Sequence, residues 1–164
     1  MGIEAFCNSW MYDYPTDNLK TVILPNSVTS IGAGAFYQTN ITEIVLPDNI
    51  ETLGVKALNS CQYLESITLP KNLKTIGESA LRGCRFKEII IPENVTSIDN
   101  YAFQENEELE KVLNLSNKIT HFGIGVFRNV EVFEGELASE DNRCLIIDGE
   151  LLAFAPRGLT EYVI

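Results

Sequence analysis

The sequence predicts a solenoid: a chain wound into stacked coils of 22 to 24 residues, β-rich within the α/β class, right-handed, with a parallel sheet on its concave face and a C-terminal β-hairpin. Three markers predict it. The first is a pair that returns as Leu24-Pro25, Leu46-Pro47, Leu69-Pro70, Ile91-Pro92 and, with the proline lost, Leu115-Ser116, in steps of 22, 23, 22 and 24. The second is Ala35-Phe36, Ala57-Leu58, Ala80-Leu81, Ala102-Phe103 and Val126-Phe127, which keeps the same steps. The third lies between them, as Ile31-Gly32, Leu53-Gly54, Ile76-Gly77, Ile98-Asp99 and Phe122-Gly123. Each unit is too small to bury its own apolar side, so the units must stack and share one core.

Within a unit, Leu64-Glu-Ser-Ile-Thr-Leu-Pro70 reads as a short strand with Leu64, Ile67 and Leu69 turned inward. Pro70 ends it, since proline has no N–H to donate. Val28-Thr29-Ser30-Ile31 reads as a second short β segment on the opposite wall. Gly32 turns the chain, and Gly-Ala-Phe is expected as one turn of helix with Phe36 filling the interior. Near the end, Asp148-Gly149 between two apolar runs is a type I′ hairpin signal. The whole chain, 1–164, reads as a single domain, with repeats over about 2–130 and the hairpin and a partial repeat over about 131–164.

Composition narrows the function classes. The chain is 45% hydrophobic and 21% charged, with no apolar run approaching the ~20 residues of a membrane span. Its 12 basic residues are spread among 23 acidic ones, for a net charge of -11. That balance speaks against nucleic acid and against anionic membrane surfaces, both of which draw on clustered cations. The glutamates at 105, 107, 108 and 110, and those at 131, 134, 136 and 140 with Asp141, read as solvated faces. The N-terminus shows no basic region followed by an apolar one, hence no signal peptide is expected in this sequence.

The four cysteines form no C-x-x-C pair. One column of the stack runs Thr39, Cys61, Cys84, Asn106, Val130, and coils ~4.8 Å apart bring Cys61 and Cys84 within bonding range. A ladder of small buried side chains with free thiols is the reading adopted, and no disulfide is assigned.

The pattern Leu-Pro-x-x-Val-x-x-Ile-Gly-x-x-Ala-Phe resembles the BspA-like leucine-rich repeats of bacterial surface proteins over residues 2 to about 130. The tail, Cys144-Leu-Ile-Ile-Asp-Gly-Glu-Leu-Leu-Ala-Phe-Ala-Pro156 with Gly158 to Ile164, is similar to the hairpin that interrupts such arrays. The resemblance implies a right-handed leucine-rich-repeat solenoid, secreted or surface-anchored, engaged in adhesion or host contact. It transfers no catalytic residue. The chain starts in the second half of a unit and stops where another would follow, so flanking repeats or end-to-end self-association are expected.

Two candidate sites follow. Alternation leaves the column Ile23, Val45, Thr68, Ile90, Leu113 exposed on the sheet, beside Thr21, Glu43, Ser66, Glu88, Lys111. An apolar stripe flanked by charge suits a protein-binding groove, although β-branched residues also simply suit strands. The interval from Ala5 to Ala35 is 30 residues, and its surplus holds Trp10, Met11, Tyr12, Asp13, Tyr14 and Pro15. These aromatics read either as a platform for a sugar or peptide or as a lid over the first coil.

Catalysis, cofactors and metals find no support. The single histidine, His121, sits beside Phe122-Gly123 with no nucleophile in register, and no nucleophile elbow, phosphate loop or metal spacing occurs. Asp141-Asn142 and Asp148-Gly149 are explained by turn chemistry, nothing in the sequence places the paired acids Glu107 and Glu108 across a cleft, and the Asn-x-Ser/Thr triplets at Asn40, Asn94 and Asn114 are discounted. The expected function is recognition of a protein or glycan through the sheet face and the aromatic insertion. The alternative is a spacer of a longer surface protein with no ligand of its own.

Overall fold

A computed structural model describes residues 18–114, 116 and 118–130, together with the backbone of strands at 144–147 and 150–154. Five coils span 19–40, 41–63, 64–85, 86–108 and 109–130. The last four open on the buried side chains of Ile41, Leu64, Phe86 and Leu109. The coil length varies at two corners: the fifth coil has one more residue between Val112 and Ile119 than the fourth has between Ile89 and Val95, and at the other corner Thr39 and Ile41 are separated by one residue, whereas Cys61 and Leu64, like Asn106 and Leu109, are separated by two. A tight turn absorbs the extra residue, with the amides of Leu64 and Leu109 bonded to the carbonyls of Cys61 and Asn106 at 3.0 and 3.1 Å.

In chain order the strands of the coils are β1 (Thr21–Ile23), β2 (Ser30–Ile31), β3 (Glu43–Val45), β4 (Thr52–Leu53), β5 (Thr75–Ile76), β6 (Glu88–Ile91), β7 (Ser97–Ile98), β8 (Lys111–Asn114) and β9 (His121–Phe122). The two-residue strands make a continuous five-stranded parallel sheet, β2-β4-β5-β7-β9. Its register stacks Ile31, Leu53, Ile76, Ile98 and Phe122 in one inward column. Burying such aliphatic side chains is the main stabilising term, roughly 1.5–3 kcal/mol each.

The opposite wall is the expected parallel sheet, and it is interrupted. β1 pairs with β3 and β6 with β8, both parallel. Residues 66–69, between them, pair with neither neighbour. Past this wall the chain turns at proline, and the carbonyls of Pro25, Pro47, Pro70 and Pro92 accept the amides of Val28, Ile50, Leu73 and Val95 at 3.0 to 3.2 Å. Where the proline is lost, Ser116 supplies the turn with its side chain. Its hydroxyl donates to the Val95 carbonyl at 2.6 Å and accepts the Lys118 amide at 3.1 Å.

The third wall departs from expectation, because Gly-Ala-Phe forms a ribbon of turns in place of a helical turn. The reason lies in where the amides go. Those of Gly34, Phe36 and Gln38 cross to the carbonyls of Val55, Ala57 and Asn59 in the next coil at 2.8, 2.8 and 2.9 Å. The amides between them, of Ala35, Tyr37 and Thr39, close four-residue turns on the carbonyls of Gly32, Gly34 and Phe36. No amide is left for the i−4 bond of an α-helix. The pattern needs left-handed backbone at alternate turns, and Gly34 supplies one at φ 59° while Gln38, Lys56 and Ser60 adopt it without being glycine, at 56°, 55° and 60°. Such conformations cost of order 1 kcal/mol each and persist because the neighbouring coil holds them.

Beyond the coils, β10 (Cys144–Ile147) and β11 (Glu150–Phe154) pair antiparallel. The turn between them, Asp148-Gly149, lies outside the described residues, as do the N-terminal half-unit, Trp10, Tyr12, Tyr14 and the acidic stretch at 131–141.

Candidate protein-binding face

Period-two alternation turns one residue in two of the first wall outward. Val22 and Ile67 are half-buried and Ile44, Ile89 and Val112 buried, which leaves the residue after each of them facing solvent. Ile23 is 75% exposed, Val45 46%, Ile90 43% and Leu113 36%. Thr68, in the middle of the same column, is exposed too. Register places Ile23 against Val45 and Ile90 against Leu113, so the aliphatic side chains come in adjacent pairs with Thr68 between the pairs. Four exposed branched side chains in one column are an apolar stripe, a surface that a monomer does not otherwise need to show to water.

The flanking column is exposed as well, through Thr21, Glu43, Ser66, Glu88 and Lys111. Glu88 and Lys111 are opposite one another in the β6–β8 pair and their charged groups meet at 3.1 Å. At the far edge the Lys20 ammonium lies 5.3 Å above the ring of Tyr63, the extra residue of the second coil. A cation over an aromatic face is worth about 0.5–1 kcal/mol at such an exposed place.

The charges elsewhere follow the coil spacing. Lys71 meets Asp48 at 2.5 Å, Lys74 meets Glu51 at 2.9 Å, and the Arg82 guanidinium grips the Glu105 carboxylate through two bonds of 2.6 and 2.9 Å. Each of these pairs joins residues 23 apart, in adjacent coils. The exposed ones stabilise little individually.

Beneath the surface, the column Thr39, Cys61, Cys84, Asn106 and Val130 is buried as expected. The Thr39 hydroxyl donates to the Phe36 carbonyl of its own coil, and from Cys61 to Asn106 the polar members reach carbonyls of the preceding coil. The Cys61 thiol donates to the Phe36 carbonyl at 3.1 Å and the Cys84 thiol to the Leu58 carbonyl at 3.3 Å. Both are free thiols. Burial pushes the Cys61 pKa up to about 11 and that of Cys84 well above its ordinary value, so neither is a thiolate nucleophile at neutral pH.

His121 is at the surface of the five-stranded sheet, with Nε2 3.5 Å from Asp99 Oδ1, and the Ser97 hydroxyl donates to that same oxygen at 2.7 Å. The carboxylate stands between hydroxyl and imidazole, the reverse of the order in which a histidine takes a serine proton. No helix among the described residues is long and apolar enough to cross a membrane.

The coil geometry and the sequence period meet in one comparison. The profile of the BspA type leucine rich repeat region matches residues 29–140 in six copies. The chain belongs to the BspA-type leucine-rich-repeat family. It is similar to a leucine-rich repeat protein of Bacteroides ovatus of known crystal structure, with 38% identity and a TM-score of 0.63 over 67% of this chain and 29% of that one. The chain thus spans less than a third of that protein's length. No curated protein matches it. The BspA-type family is typically surface-associated in bacteria and generally non-enzymatic.

This BspA-type array carries one further feature on the same face. A cleft of about 460 Å³ opens beside residues 66–69, between the third and fourth coils. Its only sequence signal is Thr68, the one residue of the stripe that is not aliphatic.

Proposed function

We propose that this array is a non-enzymatic binding module, acting outside the cell or on its surface, that recognises a protein or glycan through the Ile23-to-Leu113 face and the aromatic insertion at Trp10, Tyr12 and Tyr14. The observation that supports it best is the exposure of Ile23, Val45, Ile90 and Leu113 in one column of one wall. Clustered aliphatic side chains on a polar-rimmed face lose unfavourable hydration when a partner covers them, and that gain drives association. The alternative reading is a structural spacer of a longer surface protein with no ligand of its own.

The two readings separate in a binding measurement on a panel of immobilised host-matrix glycoproteins. The binding module predicts capture by at least one of them, weakened tenfold or more in a Val45→Lys, Ile90→Lys double variant that keeps the circular dichroism of the parent. Both positions are exposed, so lysine there leaves the core alone. Trp10 fluorescence reports separately on the insertion, where Trp10→Ala with Tyr12→Ala tests its share. A spacer binds nothing on the panel, and the variants then change nothing.

A further inference from the structure

Three observations fall on the same few residues of the stripe-bearing wall. The ladder is broken there: β1–β3 and β6–β8 are each paired, and 66–69 joins neither. The stripe is notched there, because Thr68 is exposed in the column that otherwise holds Ile23, Val45, Ile90 and Leu113. The cleft of about 460 Å³ lies there, lined by the apolar surfaces of Ile67, Leu69, Ile90 and Pro92. That volume falls among ligand pockets, which run from roughly 300 to 1,000 Å³.

Three charged residues also line the cleft, namely Lys71, Glu88 and Glu93. Lys71 is held by Asp48 at 2.5 Å and Glu88 by Lys111 at 3.1 Å. Glu93 is exposed and has no ion partner among the described residues. No aromatic ring lines the cleft, so it lacks the flat apolar face on which a sugar stacks. The chain as a whole carries a net charge of -11. An apolar hollow with one uncommitted carboxylate on an acidic protein complements an aliphatic side chain next to a cation.

We propose that the cleft between the third and fourth coils is the specificity pocket of this face, and that it takes a branched aliphatic side chain of an extended partner polypeptide whose neighbouring lysine or arginine meets Glu93. Val45 and Leu113, one on each side, continue the apolar surface for the residues that follow. The inference rests on the binding reading above and narrows its partner to a polypeptide with an aliphatic–basic pair.

The test is an NMR titration of the isotopically labelled chain with the blocked tetrapeptide Gly-Leu-Lys-Gly, against Gly-Leu-Glu-Gly and Gly-Ala-Lys-Gly. The expected result is movement of the amides of Ile67, Thr68, Leu69 and Ile90, with an affinity for the Leu-Lys peptide at least fivefold above either control. Glu93→Lys should reverse the preference between Lys and Glu, and Thr68→Trp, which fills the notch from an exposed position, should abolish the shifts while the spectrum stays that of the folded chain. Equal affinity for the three peptides overturns the proposal, as does a chitobiose titration that moves the same amides more strongly. So do concentration-dependent shifts of these amides without peptide, which would assign the cleft to a second copy of the chain. Shifts confined to Ile23 and Val45 overturn the pocket and leave the binding reading standing; the glycoprotein panel decides that reading by itself.

Discussion

Replacing Asn106 by alanine should cost more than any other single truncation of a polar side chain in the described coils. Asn106 is fully buried. Its Oδ1 accepts the Cys84 amide at 2.9 Å, and its Nδ2 donates to the Leu81 and Phe103 carbonyls at 2.9 and 2.7 Å. Two of those partners belong to the preceding coil, so the side chain stitches the third coil to the fourth. Alanine orphans one buried N–H and removes a donor from each of two buried carbonyls. An orphaned buried polar group costs about 1–3 kcal/mol, and three groups near the low end of that range cost about 3–4 kcal/mol together. With a urea slope of about 2 kcal/mol per molar, the unfolding midpoint should fall by about 1.5–2 M at an unchanged slope. Glu107→Ala, at the exposed next residue, should move it by less than about 0.3 M, since surface changes stay within about 0.5 kcal/mol. Hydrogen exchange at the Cys84 amide should accelerate in step with the loss. A destabilisation below 1 kcal/mol for Asn106→Ala, with the slope unchanged, would refute the claim that this side chain carries the stitch.

Two further outcomes follow from the packing and the buried thiols. A Cβ added at Gly77 would stand 2.8 Å from the Leu53 carbonyl oxygen and 2.9 Å from the Gly54 carbonyl carbon, so Gly77→Ala should destabilise by about 1–3 kcal/mol; a thermal midpoint equal to that of the parent would show that the coils can part without cost. The Cys61 thiol is raised from 9.0 to about 11 in the fold, so between those values the unfolded chain sheds protons that the native chain keeps. Stability from this group is therefore fully present below pH 9 and declines toward pH 11 by about 1.4 kcal/mol per pH unit. Comparing urea midpoints at pH 8, 9.5 and 10.5 with those of a Cys61→Thr, Cys84→Thr double variant isolates the thiol contribution, and parallel pH slopes in the two proteins would contradict it.

The coils and the face were legible in the sequence because their signals are periodic and local. The markers at Leu24-Pro25 and Ala35-Phe36 set the coil length, and alternation about Ile44 or Ile89 tells which neighbours face out. The Thr39-to-Val130 column needed only the same count. The turn ribbon was not legible, because Gly-Ala-Phe satisfies local helical patterning while its amides find partners 21 residues away, from Phe36 to Ala57. Nor do Lys56 and Ser60 announce left-handed backbone, since the adjoining coil imposes it. The break at 66–69 was hidden for a similar reason. Leu64-Glu-Ser-Ile-Thr-Leu matches the strand pattern as well as its neighbours do, and whether a ladder closes depends on the spacing between coils.

The stacking of charges between coils also bears on how an array of near-identical units keeps its parts in order. Coils of nearly equal length with interchangeable cores could in principle close with one unit looped out. If the second coil were to stack directly on the fourth, Glu43 would stand opposite Glu88 and Asp48 opposite Glu93, two like-charge contacts where the native order gives Asp48 the ammonium of Lys71. Directly opposed like charges disfavour strand pairing. The surface charges thus disfavour this one skipped order, adding a small bias to a register that the packing of the interior also has to satisfy.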